Sequence, residues 1–134
     1  MSGERSFLDT NILLYLYSAD DLKARQAEAL VRAGGVVSVQ VLNELASVLR
    51  RKFKYSWAEI NHVLGVTERL LEVEPLTLDG HRVGRALAAR YSLSVYDAMI
   101  VAAAQQSGCR VLYSEDMQHG LKVSVQLRIE NPFL

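Results

Sequence analysis

Three apolar runs in the chain are only three or four residues long: Ser6–Leu8, Val36–Ser38 and Arg110–Tyr113. Longer stretches with helical spacing separate them. Strands this short, and apolar on successive residues, do not alternate between a wet and a dry face. They are buried on both sides, as in a parallel sheet covered by helices. Strand and helix in alternation imply βαβ units. The expected fold class is therefore α/β: a three-layer α/β/α arrangement with a short, mostly parallel central sheet.

The same reading places the other elements. Asn11 to Tyr17 continues the first strand as an apolar helix, and Asp20-Asp21 caps a helix over Leu22 to Arg32 that stops at Gly34-Gly35. Helices follow from Val39 to Phe53 and from Ser56 to Leu71, the second with Glu59 at capping-box spacing. Pro75 to Leu78 reads as extended, and Asp79 caps a helix running to Arg90. A helix from Ser94 ends before Gly108, and a last strand lies at Val123 to Ile129. With 134 residues, no repeats and no linker-like segment, residues 1–134 are expected to form a single domain.

The longest unbroken apolar run, Ala98 to Ala104, is far shorter than the ~20 residues that span a bilayer. Asp9-Thr10-Asn11 and the Glu4-Arg5 pair are unlike a secretory leader, so the expected location is the cytoplasm. The single cysteine, Cys109, permits no internal disulfide and no cysteine-based zinc site. The formal net charge is zero, which argues against a strongly basic DNA-binding domain but leaves room for a local basic patch.

Four acids stand where an acid is costly. Asp9 follows the first strand, and Asp116 follows the strand holding Val111 and Leu112. Open parallel sheets place their sites beyond the carboxyl ends of such strands. Glu44 lies on or beside the stripe formed by Val41, Leu45, Val48 and Leu49, with no basic residue three or four positions away. Asp97 opens a helix that is apolar all round. Each has an ordinary alternative: Asp9 and Asp97 as helix caps, Glu44 in a salt bridge, Asp116 as a loop acid. If they converge, four negative charges need a cation. An all-oxygen donor set selects hard ions, Mg2+ or Mn2+, which suits phosphoryl chemistry.

The sequence also resembles a known family. Phe7-Leu8-Asp9-Thr10-Asn11, Asn43-Glu44, Tyr96-Asp97-Ala98, the run from Leu112 to Met117, and Asn131-Pro132-Phe133 occur in the order seen in PIN domains. The likeness is nearest to VapC-type toxins of toxin–antitoxin pairs. It implies a Mg2+- or Mn2+-dependent ribonuclease. Asp9, Glu44, Asp97 and Asp116 would form its acidic quartet: Asp9 and Asp97 as metal ligands, Glu44 and Asp116 completing the cluster. Thr10, Asn11 and Ser114 would support them by hydrogen bonds. Glu115 could replace or supplement Asp116. The resemblance further implies a homodimer and a small antitoxin that inserts a segment, often with an arginine, near the acids. A stand-alone RNA-processing nuclease and a catalytically silent RNA- or protein-binding module are the alternatives.

Arg50, Arg51, Lys52 and Lys54, interleaved with Phe53 and Tyr55, form the densest basic run and are candidate RNA contacts. The ordinary reading is a solvated helix end. Arg82, Arg85 and Arg90 are further groove candidates. His62, His81 and His119 show no ligand spacing, and Gly34-Gly35 lacks the Lys-Ser/Thr of a phosphate loop. Trp57, Tyr15, Tyr17 and Tyr96 read as core or interface residues.

Overall fold

The computed structural model describes residues 4–134. Five strands form one sheet: β1 (Ser6–Leu8), β2 (Val36–Ser38), β3 (Glu72–Glu74), β4 (Val111–Tyr113) and β5 (Arg128–Glu130). Every pairing is parallel, and the strand order is β3-β2-β1-β4-β5. Six helices connect and flank the strands: α1 (Thr10–Tyr15), α2 (Asp21–Arg32), α3 (Val39–Arg51), α4 (Trp57–Leu70), α5 (Leu78–Tyr91) and α6 (Val95–Gln106). The α/β class with a parallel central sheet is what the short apolar runs required.

The chain winds outward from β1 through β2 to β3, then returns to β1's other side for β4 and β5. The order reverses between β1 and β4, so a crevice opens beyond their carboxyl ends. Leu8 is in register with Tyr113, and the Asp9 N–H donates to the Tyr113 carbonyl at 3.0 Å. This register sets Asp9 and Ser114 side by side at the end of the two central strands.

Phe7, Leu8, Val36, Val37, Val111 and Leu112 are buried, as two-sided burial demands. Helix α6 packs on β2 and β4 and buries Ala98, Met99, Ile100, Val101, Ala102 and Ala104. Its small side chains let α5 approach closely. A Cβ on Gly84 of α5 would lie 2.7 Å from the Met99 Cε, so the thioether lies directly over that backbone position. Asp9 and Ser94 cap α1 and α6, and Ser56 with Glu59 forms a complete capping box on α4.

Three boundaries differ from expectation. A strand forms at Glu72–Glu74, just before the stretch read as extended, because a proline lacks the N–H a ladder needs. Thr77 caps α5 by accepting from the Gly80 N–H at 2.9 Å, which leaves Asp79 inside the first turn. The last strand is Arg128–Glu130; the residues before it turn, with Ser124 Oγ accepting from the N–H groups of Gln126 and Leu127.

Helix α5 ends on Ser92, which adopts φ 55°. A side chain in this left-handed region costs about 1–2 kcal/mol, partly offset by the unfolded-state freedom a glycine would add. Ser92→Gly is expected to raise stability by about 0.5–1 kcal/mol, read as a higher urea midpoint with an unchanged slope.

Candidate active site

Asp9, Glu44, Asp97 and Asp116 line one open cleft of about 560 Å³, at the carboxyl edge of β1 and β4. Their delivery differs. The end of β1 places Asp9, the second turn of α3 places Glu44, the first turn of α6 places Asp97, and the loop after β4 places Asp116. Asp9 is only 4% exposed, Glu44 and Asp97 are half-buried, and Asp116 is exposed.

Neutral donors hold three of these carboxylates. Asp9 Oδ1 accepts from the Thr10 N–H and Oδ2 from the Ser114 hydroxyl, both at 2.7 Å. Glu44 accepts from Thr10 Oγ1 and from Gln40 Nε2, both at 2.9 Å. The Asn11 amide donates to Asp116 Oδ2 at 3.0 Å and to Asp9 Oδ2 at 3.4 Å. The three supporting residues expected from the sequence, Thr10, Asn11 and Ser114, therefore all touch one or more of the four acids.

No ion pair among the described residues involves any of the four. Burial is the main reason the Asp9 carboxyl is pushed up to about 6; Ser114 and Thr10 oppose it, and the charges of Asp97 and Glu44 add to it. Asp97 is also raised, first by burial and then by the charges of Glu44 and Asp116. The cleft thus concentrates negative charge that its own cations do not neutralise. The donors are all oxygen and suit a hard divalent ion, although no three His, Cys, Asp or Glu side chains among the described residues already stand at chelating spacing.

The cap reading and the site reading coexist at Asp9, which caps α1 while facing the cleft. The salt bridge considered for Glu44 is replaced by hydrogen bonds. Glu115 does not join the quartet. Its carboxylate accepts from the Tyr15 hydroxyl and pairs with Lys23, each at 2.5 Å. Burial alone would raise it, but Lys23 and Tyr15 outweigh that and hold it below the ordinary range.

The basic run disperses. Of Arg50, Arg51, Lys52 and Lys54, only Arg51 lines the cleft. Arg50 turns to the Tyr55 carbonyl at 3.0 Å and lies over the Trp57 ring. Lys52 ends α3, and Lys54 adopts φ 60° in the turn beyond it. Arg82, Arg85 and Arg90 are exposed on α5 and do not line the cleft. Trp57 and Tyr96 are not core residues: they are 56% and 66% exposed. His119 accepts from the Asn131 N–H through Nδ1 at 2.9 Å, a loop tie rather than a site group. Gln40 and Ser47 were not singled out by sequence. Gln40 precedes Glu44 by four residues, a spacing that signals a helical side-chain pair. Nothing local signals that Lys23 and Tyr15 meet Glu115.

A doubly wound parallel sheet with a carboxylate-lined cleft at its switch point defines an acidic-site α/β protein. The family model for the PIN domain matches residues 6–120, and the chain belongs to the PIN-domain family. No curated protein sequence matches it. Several solved structures share the fold at low identity. A toxin–antitoxin complex from Klebsiella pneumoniae matches with a TM-score of 0.73 at 19% identity, over 95% of this chain and 97% of that one. VapC20 of Mycobacterium tuberculosis, described as a sarcin–ricin loop cleaving toxin, matches with a TM-score of 0.68 at 21% identity, over 83% and 89%. DNA-bound VapBC from Salmonella typhimurium matches with a TM-score of 0.66 at 23% identity, over 97% and 99%.

Proposed function

We propose that the protein is a Mg2+- or Mn2+-dependent endoribonuclease, the toxin of a toxin–antitoxin pair, with residues 1–134 acting as one nuclease unit in the cytoplasm. The observation that carries this reading is the cleft: four carboxylates on one PIN-domain surface, three of them held by neutral donors and none ion-paired among the described residues. The descriptions of two structural neighbours, a toxin–antitoxin complex and a sarcin–ricin loop cleaving toxin, point to the same biology. By the same likeness the partners are an RNA substrate, a small antitoxin protein and a second copy of the chain.

In this reading Asp9 and Asp97 would hold the ion, directly or through water, and Glu44 and Asp116 would complete the cluster and orient the water. A divalent ion bound there supplies the positive charge that activates water and stabilises the phosphodiester as it is attacked. Ser114 and the Thr10 N–H fix the two Asp9 oxygens, so the carboxylate needs little reorganisation. Thr10 serves a second acid through its hydroxyl, coupling Asp9 to Glu44. Phe7, Leu8, Ile12 and Leu13 are buried on either side and leave this segment little room to shift.

Arg51 is the phosphate contact among the four basic candidates. It lies two helical turns past Glu44 on α3, about 10 Å along the axis. Its Nε donates to Ser47 Oγ at 3.1 Å, which holds the guanidinium at the cleft wall. Arg51→Ala is expected to weaken RNA binding about tenfold and to lower the salt dependence by about 0.7 in log–log slope, the value for one lost single-strand phosphate contact. Arg50→Ala and Lys54→Ala serve as comparisons and leave the slope unchanged.

The test of the reading is cleavage-site mapping on total RNA, with the parent and Asp97→Asn in Mg2+ and in Mn2+. Defined 5′ or 3′ ends that appear only with the parent and only with the metal support it. A parent that binds RNA but cuts none in either metal replaces it with a binding module.

A further inference from the structure

We infer that Glu115 is a positioning residue for the acidic cleft, locked in place by Lys23 and Tyr15, and that this lock governs how tightly the cleft holds a divalent ion. The inference rests on the nuclease reading above. Asp116 is the one exposed member of the quartet, carried on the loop after β4. What orders it is Asn11, whose amide joins Asp116 to Asp9. That amide is oriented from its other end, where Asn11 Oδ1 accepts from the Glu115 N–H at 3.3 Å.

The Glu115 side chain fixes this backbone. Its carboxylate accepts from Tyr15 of α1 and pairs with Lys23 of α2. Lys23 Nζ lies 4.8 Å from the Tyr15 ring centroid and 5.2 Å from that of Phe133, and the two rings meet edge to face at 5.0 Å. Two helices and the C-terminal segment therefore converge on one loop carboxylate beside the site. A surface ion pair alone contributes little to stability. Its consequence here is geometric, because releasing Glu115 frees the loop that carries Asp116.

The experiment measures Mn2+ affinity by calorimetry, together with the Asn11 side-chain amide resonances of the metal-free protein. Glu115→Ala and Lys23→Met are each expected to weaken Mn2+ binding by about 10–100-fold and to shift the Asn11 resonances, as loss of an outer partner of a metal ligand does. RNA affinity without metal stays within about twofold, and Lys23→Arg, which keeps the charge, recovers most of the Mn2+ affinity. The double variant is no weaker than either single one, since both break the same lock. If Glu115→Ala does not fold, Tyr15→Phe, which deletes only the hydroxyl, carries the test in the same direction. Parent-like Mn2+ affinity in Lys23→Met and Tyr15→Phe, or no recovery by Lys23→Arg, overturns the positioning role alone. A parent protein that binds no Mn2+ overturns the nuclease reading and this inference with it.

Discussion

Asp9→Asn abolishes RNA cleavage and makes the metal-free protein more stable at neutral pH. The activity loss is expected to be about a thousandfold, because the variant removes the most rigidly held charge that faces the ion. The gain in stability follows from burial. The Asp9 carboxyl lies near 6 in the fold against 3.8 when free. A difference of about two units, at 1.36 kcal/mol each, means that the ionised group opposes folding by about 3 kcal/mol above pH 6. Asparagine has one acceptor oxygen, so it keeps either the Thr10 or the Ser114 bond and forfeits about 1 kcal/mol. The net expectation is about 2 kcal/mol of added stability at pH 7. Because the folded form binds this proton more tightly, the parent's stability falls as pH rises from about 4 to 6, and the variant lacks that slope. Urea denaturation across this range checks the sign. A variant that is inactive but destabilised at pH 7 would show that Asp9 acts mainly as the cap of α1.

Chelation is the second large effect. EDTA is expected to abolish cleavage, and Mg2+ or Mn2+ added in excess to restore it. The same ions should stabilise the fold: Mn2+ at a hundred times its Kd adds about 2.7 kcal/mol by mass action. That increment should shrink sharply in Asp97→Asn, whose half-buried carboxylate already senses Glu44 and Asp116. It should grow with pH up to about 6, since a proton on Asp9 competes with the ion. Undiminished cleavage in EDTA would remove the ion from the mechanism and turn attention to the cleft's neutral donors.

Much of this arrangement is legible in the sequence. Apolar runs of three residues cannot serve as exposed strands, so Ser6–Leu8 and Val36–Ser38 had to lie within a covered parallel sheet. Caps with a local hydrogen-bond rule, such as Ser56 with Glu59 and Ser94 at α6, were equally readable. The four acids could be named one by one, because a carboxylate on an apolar face or at a strand end is unusual at each position separately. Weaker signals failed where two local rules compete. Pro75 pointed to extended chain, yet the ladder formed just before it, and Asp79 offered a cap two residues from the Thr77 that took the role.

Tertiary structure alone decided which of these residues meet. Asp9 and Asp116 share a cleft because β1 and β4 are neighbours, a pairing across more than a hundred residues that no local pattern encodes. Arg51 reaches the cleft and Arg50 does not because adjacent helical residues point about 100° apart, and only packing selects the face. Glu115 and Asp116, neighbours in the chain with the same charge, are separated in the same way: Lys23 and Tyr15 take one, Asn11 takes the other. Composition and periodicity determine which side chains must be buried or capped. The chemistry of a shared site depends on distances between elements, and those arise only when the sheet is assembled.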